Sequence, residues 1–145
     1  MENNINQSQN SSDSFNRQLV QELTTACEGL LWFSEAEYPF QVIYWHDLES
    51  WNLDILLEQE NVTADTKVKV QDLLTFFNSA ITEQEWHNEL EQAEVKRYQA
   101  LINVLDTNLQ NIQVYLLGET EIDVYILGTV NENALAGLKT KVVAT

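Results

Sequence analysis

Two histidines with carboxylates nearby are the residues of this 145-residue chain whose types could do catalytic chemistry. His46 is followed directly by Asp47, but adjacent side chains of an extended segment point to opposite faces and do not pair as base and acid. His87 and Glu91 would lie one turn apart on a helix, which leaves a zinc site without its third and fourth ligands. The sequence therefore predicts no enzyme and no cofactor of its own. A hydrolase built around His46 or His87 stays an alternative only if the fold brings them together with a nucleophile.

The charge balance indicates the kind of partner instead. Acidic residues outnumber basic ones by 23 to 7, the formal net charge is −16, and no base occurs between Arg17 and Lys67. Such a surface repels nucleic-acid phosphates, so we expect no direct nucleic-acid ligand, and it attracts a basic protein. The other interpretation of this charge is an acidic protein with no dedicated partner.

The compartment is predicted from what the sequence lacks. No apolar run approaches the roughly 20 residues of a membrane span, and the first residues have no basic segment followed by an apolar one. Cys27 is the single cysteine and falls within a helical apolar pattern, which predicts a buried free thiol. We therefore expect a cytoplasmic protein without membrane contact.

The first half of the chain predicts a tail, a helix and a strand. Residues 1–13 are polar and are predicted to be a disordered tail, ahead of a single domain over 14–145. Apolar residues recur at helical spacing from Phe15 to Leu31, with Gly29 near the expected helix end. A compact apolar run over 40–45 then predicts a strand buried on both faces.

The remainder predicts a sheet with helices. Part of 46–66 is interpreted as a strand, residues 67–70 as an edge strand, and residues 70–77 as a short helix. Thr82 and Glu85 fit a capping box that would start a long helix at Trp86.

The last third changes to a strand pattern. Residues 114–118 and 124–128 are near copies and predict a central β-hairpin, and residues 138–143 predict a last strand. This order favours an α/β fold of the α+β kind, with a mixed sheet covered by helices on both faces.

Two features suit protein binding. Trp86 lies among Glu83, Glu85, Glu89 and Glu91, and an aromatic ring surrounded by carboxylates can anchor in a pocket of a basic partner. The alternative for Trp86 is a core residue in the first turn of a helix. The last strand would also place the Ala144-Thr145 terminus, whose carboxylate and hydroxyl offer hard oxygen ligands for Mg²⁺ or Ca²⁺. A frayed, inert terminus is the alternative there.

Several blocks of the sequence resemble the cyanobacterial nuclease A inhibitor family. The resemblance covers about residues 15–145 in order. The blocks are Glu28-Gly29-Leu30-Leu31-Trp32-Phe33-Ser34-Glu35-Ala36-Glu37-Tyr38-Pro39-Phe40, Thr82-Glu83-Gln84-Glu85-Trp86, Val114-Tyr115-Leu116-Leu117-Gly118-Glu119, Glu121-Ile122-Asp123-Val124-Tyr125, and Leu135-Ala136-Gly137 to Thr145.

The resemblance implies a fold and a function. The fold is a three-layer α-β-α sandwich with a mixed, largely antiparallel sheet. The function is one-to-one inhibition, by a monomer, of a non-specific DNA/RNA endonuclease of the ββα-metal class. By the same resemblance, Glu35 pairs with an active-site arginine of the nuclease, and Gln84, Glu85 and Trp86 form a contact loop. Thr145 reaches the catalytic Mg²⁺ of the partner.

The sequence departs from the family pattern at one position of the implied site. Ala144 stands where the family pattern leads us to expect an acidic residue, which bears on one terminal contact. The alternative function is an acidic adaptor of the same fold with a different partner. Loss of Glu35 or Thr145 would leave the binding of such a partner unchanged.

Overall fold

The computed structural model describes residues 16–46, 51–131 and 133–144. Helix α1 covers the described residues 16–27. The later elements, in chain order, are β1 (Leu31–Phe33), β2 (Glu37–Pro39), β3 (Gln41–Trp45), α2 (Leu53–Gln59), β4 (Val68–Gln71), α3 (Leu73–Ile81), α4 (Glu89–Asn108), β5 (Gln110–Leu117), β6 (Glu121–Asn131) and β7 (Ala134–Val143). None of the helices in these ranges is long and apolar enough to cross a membrane. The predicted tail over 1–13 lies outside them.

Five strands form one sheet in the order β3-β7-β6-β5-β4. The predicted hairpin is confirmed: β5 pairs with β6, and Tyr115 lies opposite Tyr125. The predicted last strand is confirmed as β7 and begins earlier, at Ala134. All four pairings within this five-stranded sheet are antiparallel, so the expectation of a mixed sheet is wrong in that respect.

The central strands are buried on both faces because helices cover both sides of the sheet. Val114 and Val124 face the larger core with residues of α1, α3 and α4. Their neighbours Tyr115 and Tyr125 point the other way and pack with Leu56 of α2. This period-two alternation between two cores confirms the α+β fold with helices on both sides of the sheet.

The end of α1 is as predicted. Gly29 has a φ of +77°, a left-handed conformation that favours glycine directly after a helix. From α4, the guanidinium of Arg97 donates to the carbonyl oxygen of Glu28 at 2.6 Å and so satisfies a backbone group at this helix end. Cys27 is a buried free thiol, as expected. Leu31, assigned to the helix by its spacing, belongs instead to β1.

The strand expected within 46–66 is wrong. Residues 53–59 form α2, because Asn52 caps the helix through its side chain, which accepts from the Ile55 amide at 3.1 Å. Leu56 is fully buried against the second core, with Leu53 and Leu57 partly buried beside it. Apolar residues three and four apart thus form a helical stripe, which a short run of aliphatics does not distinguish from a strand.

Both edge strands of the sheet were predicted as strands, but only one of them was predicted to lie at an edge. The strand predicted at 67–70 is confirmed as β4, at one edge of the sheet. The run at 40–45 forms β3, which is the opposite edge and only partly buried. Both of its faces nevertheless touch a core, Val42 on one side and Ile43 on the other.

The capping box at Thr82 is wrong. The Thr82 hydroxyl donates backwards to the Asn78 carbonyl oxygen at 2.7 Å and finishes α3. The box belongs to Asn88, whose side chain accepts from the Glu91 amide at 2.8 Å, while the Glu91 carboxylate accepts from the Asn88 amide at 3.1 Å. Helix α4 therefore begins at Glu89, and Trp86 precedes it.

Tyr98 provides a test of this packing. Burial raises the pKa of its hydroxyl above the ordinary value near 10, and the negative charge of Glu94 adds to the shift. Because the pKa is raised in the folded state, the corresponding stability is complete below about pH 10 and is lost as the pH rises beyond it. In Tyr98→Phe, we expect the free energy of unfolding to fall less between about pH 9 and about pH 11 than in the wild type.

At neutral pH the same variant loses the hydrogen bond from the Tyr98 hydroxyl to the Leu31 carbonyl oxygen, 2.7 Å long. That loss should cost about 1 kcal/mol. Urea unfolding at several pH values measures both effects, and an unchanged alkaline slope in the variant would contradict the assignment.

Candidate functional site

The predicted contact residues fall on two loops, and the first is the turn between β1 and β2. Strand β3 pairs with β7 only as far as Lys139, so the rest of that edge of β7 needs another cover. The β1–β2 hairpin provides it, with the Thr140 hydroxyl donating to the Pro39 carbonyl oxygen at 3.0 Å. This bond also satisfies the hydroxyl of a buried threonine.

The turn at Glu35 is fastened to the end of β7. The Glu35 amide donates to the Val143 carbonyl oxygen at 3.2 Å, and the Val143 amide donates to the Ser34 hydroxyl at 2.9 Å. On the other side, the Ala144 amide donates to the Thr120 carbonyl oxygen at 2.8 Å. Glu35 is exposed and lies beside the end of the last strand, while the predicted contact residue Thr145 lies outside the described residues.

The second loop joins α3 to α4 and carries Gln84, Glu85 and Trp86, all exposed. It is held by a reciprocal pair of hydrogen bonds. The His87 amide donates to the Gln84 carbonyl oxygen at 3.1 Å, and the Gln84 amide donates to Nδ1 of His87 at 3.0 Å. The rings of Trp86 and His87 meet edge to face, with centroids 4.3 Å apart. We call residues 84–87 the contact turn.

Helix α4 holds the contact turn in place from its other end. Gln92 donates from its side-chain amide to the His87 carbonyl oxygen at 3.2 Å. Asn88, the next residue, is the N-cap of the helix. The start of α4 therefore determines where the contact turn lies.

A cleft of about 370 Å³ lies between β1, α3, the contact turn and α4. Its walls are Trp32 and Phe33 of β1, Ser79 and Ala80 of α3, His87 of the contact turn, and Glu91, Glu94, Val95 and Tyr98 of α4. Phe33 is 58% exposed, and Trp86 and Leu90, each next in sequence to a residue of the cleft, are 73% and 81% exposed. Large exposed apolar side chains of this kind are common in interaction surfaces.

This surface carries more acid than base. Glu35, Glu85, Glu91 and Glu94 border the hairpin, the contact turn and the cleft. One base on the hairpin side is Lys141, whose ammonium lies 5.8 Å from the ring centroid of Tyr38. The arrangement can bind cations and can exclude anions.

The catalytic alternative finds no support in the geometry. His87 lines the cleft, whereas His46 follows β3 at Trp45, which lies opposite Leu135 at the start of β7. The Glu35 turn contacts the other end of that strand, at Val143. Asp47 lies outside the described residues. Within the described ranges, no three His, Cys, Asp or Glu side chains come together as a metal site.

The structure thus joins Glu35 to the end of β7, and His87 of the contact turn and Phe33 of β1 line the same cleft. The core interpretation of Trp86 is wrong, because its ring is mostly exposed. Phe33, His87, Asn88 and Glu94 are among the residues near these loops that the sequence did not predict as contact residues. For Asn88 a signal existed, because Asn88 and Glu91 also have capping-box spacing.

The cap at Asn88 can be tested separately from any partner. Asn88→Ala removes the acceptor for the Glu91 amide and should lower the free energy of unfolding by about 1 kcal/mol. It should also speed amide exchange in the contact turn and the first turn of α4. Asn78→Ala is the matched control, because Asn78 is exposed within α3, and alanine favours a helix there. Equal denaturation midpoints for the two variants would contradict the role of the cap.

Similarity to known proteins is found at the level of the family. No curated protein matches the chain. A family model described as "Nuclease A inhibitor-like protein" matches residues 17–145. That range includes α1, both loops and the whole sheet. The chain belongs to the nuclease A inhibitor-like protein family.

Proposed function

We propose that this protein inhibits a metal-dependent, non-specific DNA/RNA endonuclease of the ββα-metal class. It binds the nuclease one-to-one, as a monomer in the cytoplasm, and covers the active site. The observation that carries the proposal is that Glu35 and Trp86 are exposed on two loops, while Phe33 before the first loop and His87 of the second line one cleft with Glu91 and Glu94. Nucleases that bind polyanions offer the basic surface that such an inhibitor requires.

Glu35 is the partner for an arginine of the nuclease site. A carboxylate can replace a substrate phosphate as the acceptor for a guanidinium, with two parallel hydrogen bonds. The backbone of Glu35 is already held by Val143, so little chain ordering remains to be done on binding. The site is therefore preorganised on the inhibitor side.

Thr145 is the group that reaches the catalytic metal. Its oxygens would occupy ligand positions of Mg²⁺ that the scissile phosphate otherwise takes, and this blocks the role of the ion as a Lewis acid. The preceding residue, Ala144, is hydrogen-bonded to Thr120, which limits where residue 145 can go. The inhibitor needs no cofactor of its own for this mechanism.

The contact turn is the third point of attachment. Trp86 presents most of its ring to solvent from a turn closed by the hydrogen bonds between Gln84 and His87. A rigid tryptophan of this kind is a common energetic centre of protein interfaces. Gln84 and Glu85 border the ring and provide polar contacts around it.

The decisive experiment is a titration of the protein into a purified nuclease of this class, with cleavage of DNA and of RNA measured. We expect stoichiometric loss of both activities. Glu35→Gln should raise the Kd at least about 30-fold, because it leaves a buried arginine of the partner without its charge partner. Removal of Thr145 should restore part of the cleavage at equal concentrations.

Glu58→Gln on α2 is the matched control, since it makes the same charge change on the opposite side of the sheet. It should affect only the rate of association, and that effect should vanish at high salt. Inhibition that survives the loss of Thr145 would reject metal capping and keep the inhibitor role. No inhibition at any ratio would reject the role and favour the acidic adaptor.

A further inference from the structure

We propose that the cleft between β1, α3 and α4 receives one lysine or arginine side chain of the partner. The inference rests on the proposed function, because the partner is the nuclease. It adds a fourth attachment point, separate from Glu35, from residue 145 and from the ring of Trp86. Its ligand is a long basic side chain, recognised by an apolar wall and a carboxylate rim.

The apolar wall of the cleft is built in advance. Trp32 is stacked on Phe76 at 4.6 Å between ring centroids and also meets the ring of Tyr98 edge to face. These contacts hold the indole firmly in the larger core. Phe33, the next residue, lies on the same cleft with more than half of its side chain exposed. A methylene chain can lie against such a wall, and a cation gains further from an aromatic face.

The rim supplies the opposite charge. Glu91 and Glu94 line the cleft from α4. One oxygen of Glu91 accepts from the Asn88 amide, so that its side chain is oriented by the helix cap. Neither carboxylate lies within ion-pair distance of a lysine or arginine among the described residues.

Of the two basic residues of α4, Lys96 and Arg97, neither lines the cleft, and Arg97 is hydrogen-bonded at the end of α1. Arg97 donates to the carbonyl oxygens of Glu28 and Ala26 at the end of α1. His87, another residue of the cleft, accepts from the Gln84 amide through Nδ1. The cleft is therefore a largely apolar site with two carboxylates, those of Glu91 and Glu94, at its rim.

Size and charge select the occupant. A volume of about 370 Å³ is at the small end of binding clefts and suits one long side chain with its adjoining backbone. Phosphate, nucleic acid and a second copy of this chain, with a net charge of −16, would all be repelled. A basic side chain at the edge of a nuclease site can pack its methylene groups against the apolar wall and pair its charge with a carboxylate of the rim.

The test measures dissociation of the complex with the same nuclease. Glu94→Gln and Phe33→Ala should each raise the Kd about tenfold, mainly through faster dissociation, and Glu94→Lys should raise it further. Glu94 is the more informative position, because it belongs to α4, whereas Phe33 stands two residues before Glu35. Leu74→Ala and Glu58→Gln are the matched controls, an exposed leucine of α3 outside the cleft and an exposed glutamate of α2.

The basic residues of the nuclease are then changed to alanine one at a time. The Kd of each nuclease variant is measured with the wild-type inhibitor and with its Glu94→Gln variant. One of these changes should weaken binding to the wild type while having at least fivefold less effect on Glu94→Gln, which identifies the inserted side chain. Urea midpoints of the cleft variants equal to the wild type exclude misfolding as the cause.

If the wild type inhibits the nuclease and the cleft variants match the controls, the cleft proposal is overturned and the proposed function stands. If the wild type does not inhibit, both are overturned. Weakening by Phe33→Ala alone, without any effect at Glu94, also overturns the cleft, because it places the loss at the neighbouring Glu35 turn.

Discussion

The outer edge of β7 is the constraint on which the functional surface depends. This strand is longer than its neighbour β3, so the backbone groups beyond Lys139 need another partner. The β1–β2 hairpin supplies partners for both backbone groups of Val143, and it also accepts a hydrogen bond from the Thr140 side chain. Covering this edge satisfies a structural need and at the same time places Glu35 beside the end of the last strand. The same hydrogen bonds therefore serve both the fold and the proposed contact.

The contact turn depends in a similar way on the start of α4. Asn88 and Glu91 cap the helix, and the hydrogen bonds of Gln92 and His87 extend that order backwards to Gln84. A mostly exposed Trp86 is thus carried by a closed turn rather than by a free loop. Because the turn that carries the ring is already ordered, binding loses little conformational entropy of the chain there. Rigid aromatic side chains are for this reason common energetic centres of interfaces.

Charge acts at two ranges on this surface. The net charge of −16 acts over distances of the order of a Debye length and accelerates encounter with a basic partner. Individual carboxylates act at contact, where their value depends on being held and desolvated. Glu35 and Glu91 lie at or beside the proposed contacts on backbone that is fixed by hydrogen bonds, whereas Glu58 belongs to α2, which packs against the other core.

The sequence by itself determined the elements with strong periodic patterns and the family. The β5–β6 hairpin, the edge strand β4 and the helix ending near Gly29 follow from apolar spacing and turn residues, which are local properties. The ordered sequence blocks were enough to indicate the family that the match over residues 17–145 shows.

Only the tertiary structure decided the remaining elements, because their local sequence is compatible with two different structures. Residues 53–59 are helical because Leu56 must reach the second core. Helix α4 is capped by Asn88 rather than by Thr82, because Thr82 is already used at the end of α3. The position of the Glu35 turn at the end of β7, and the cleft shared by β1 and the contact turn, arise from contacts between residues far apart in the chain, and no local pattern carries that information.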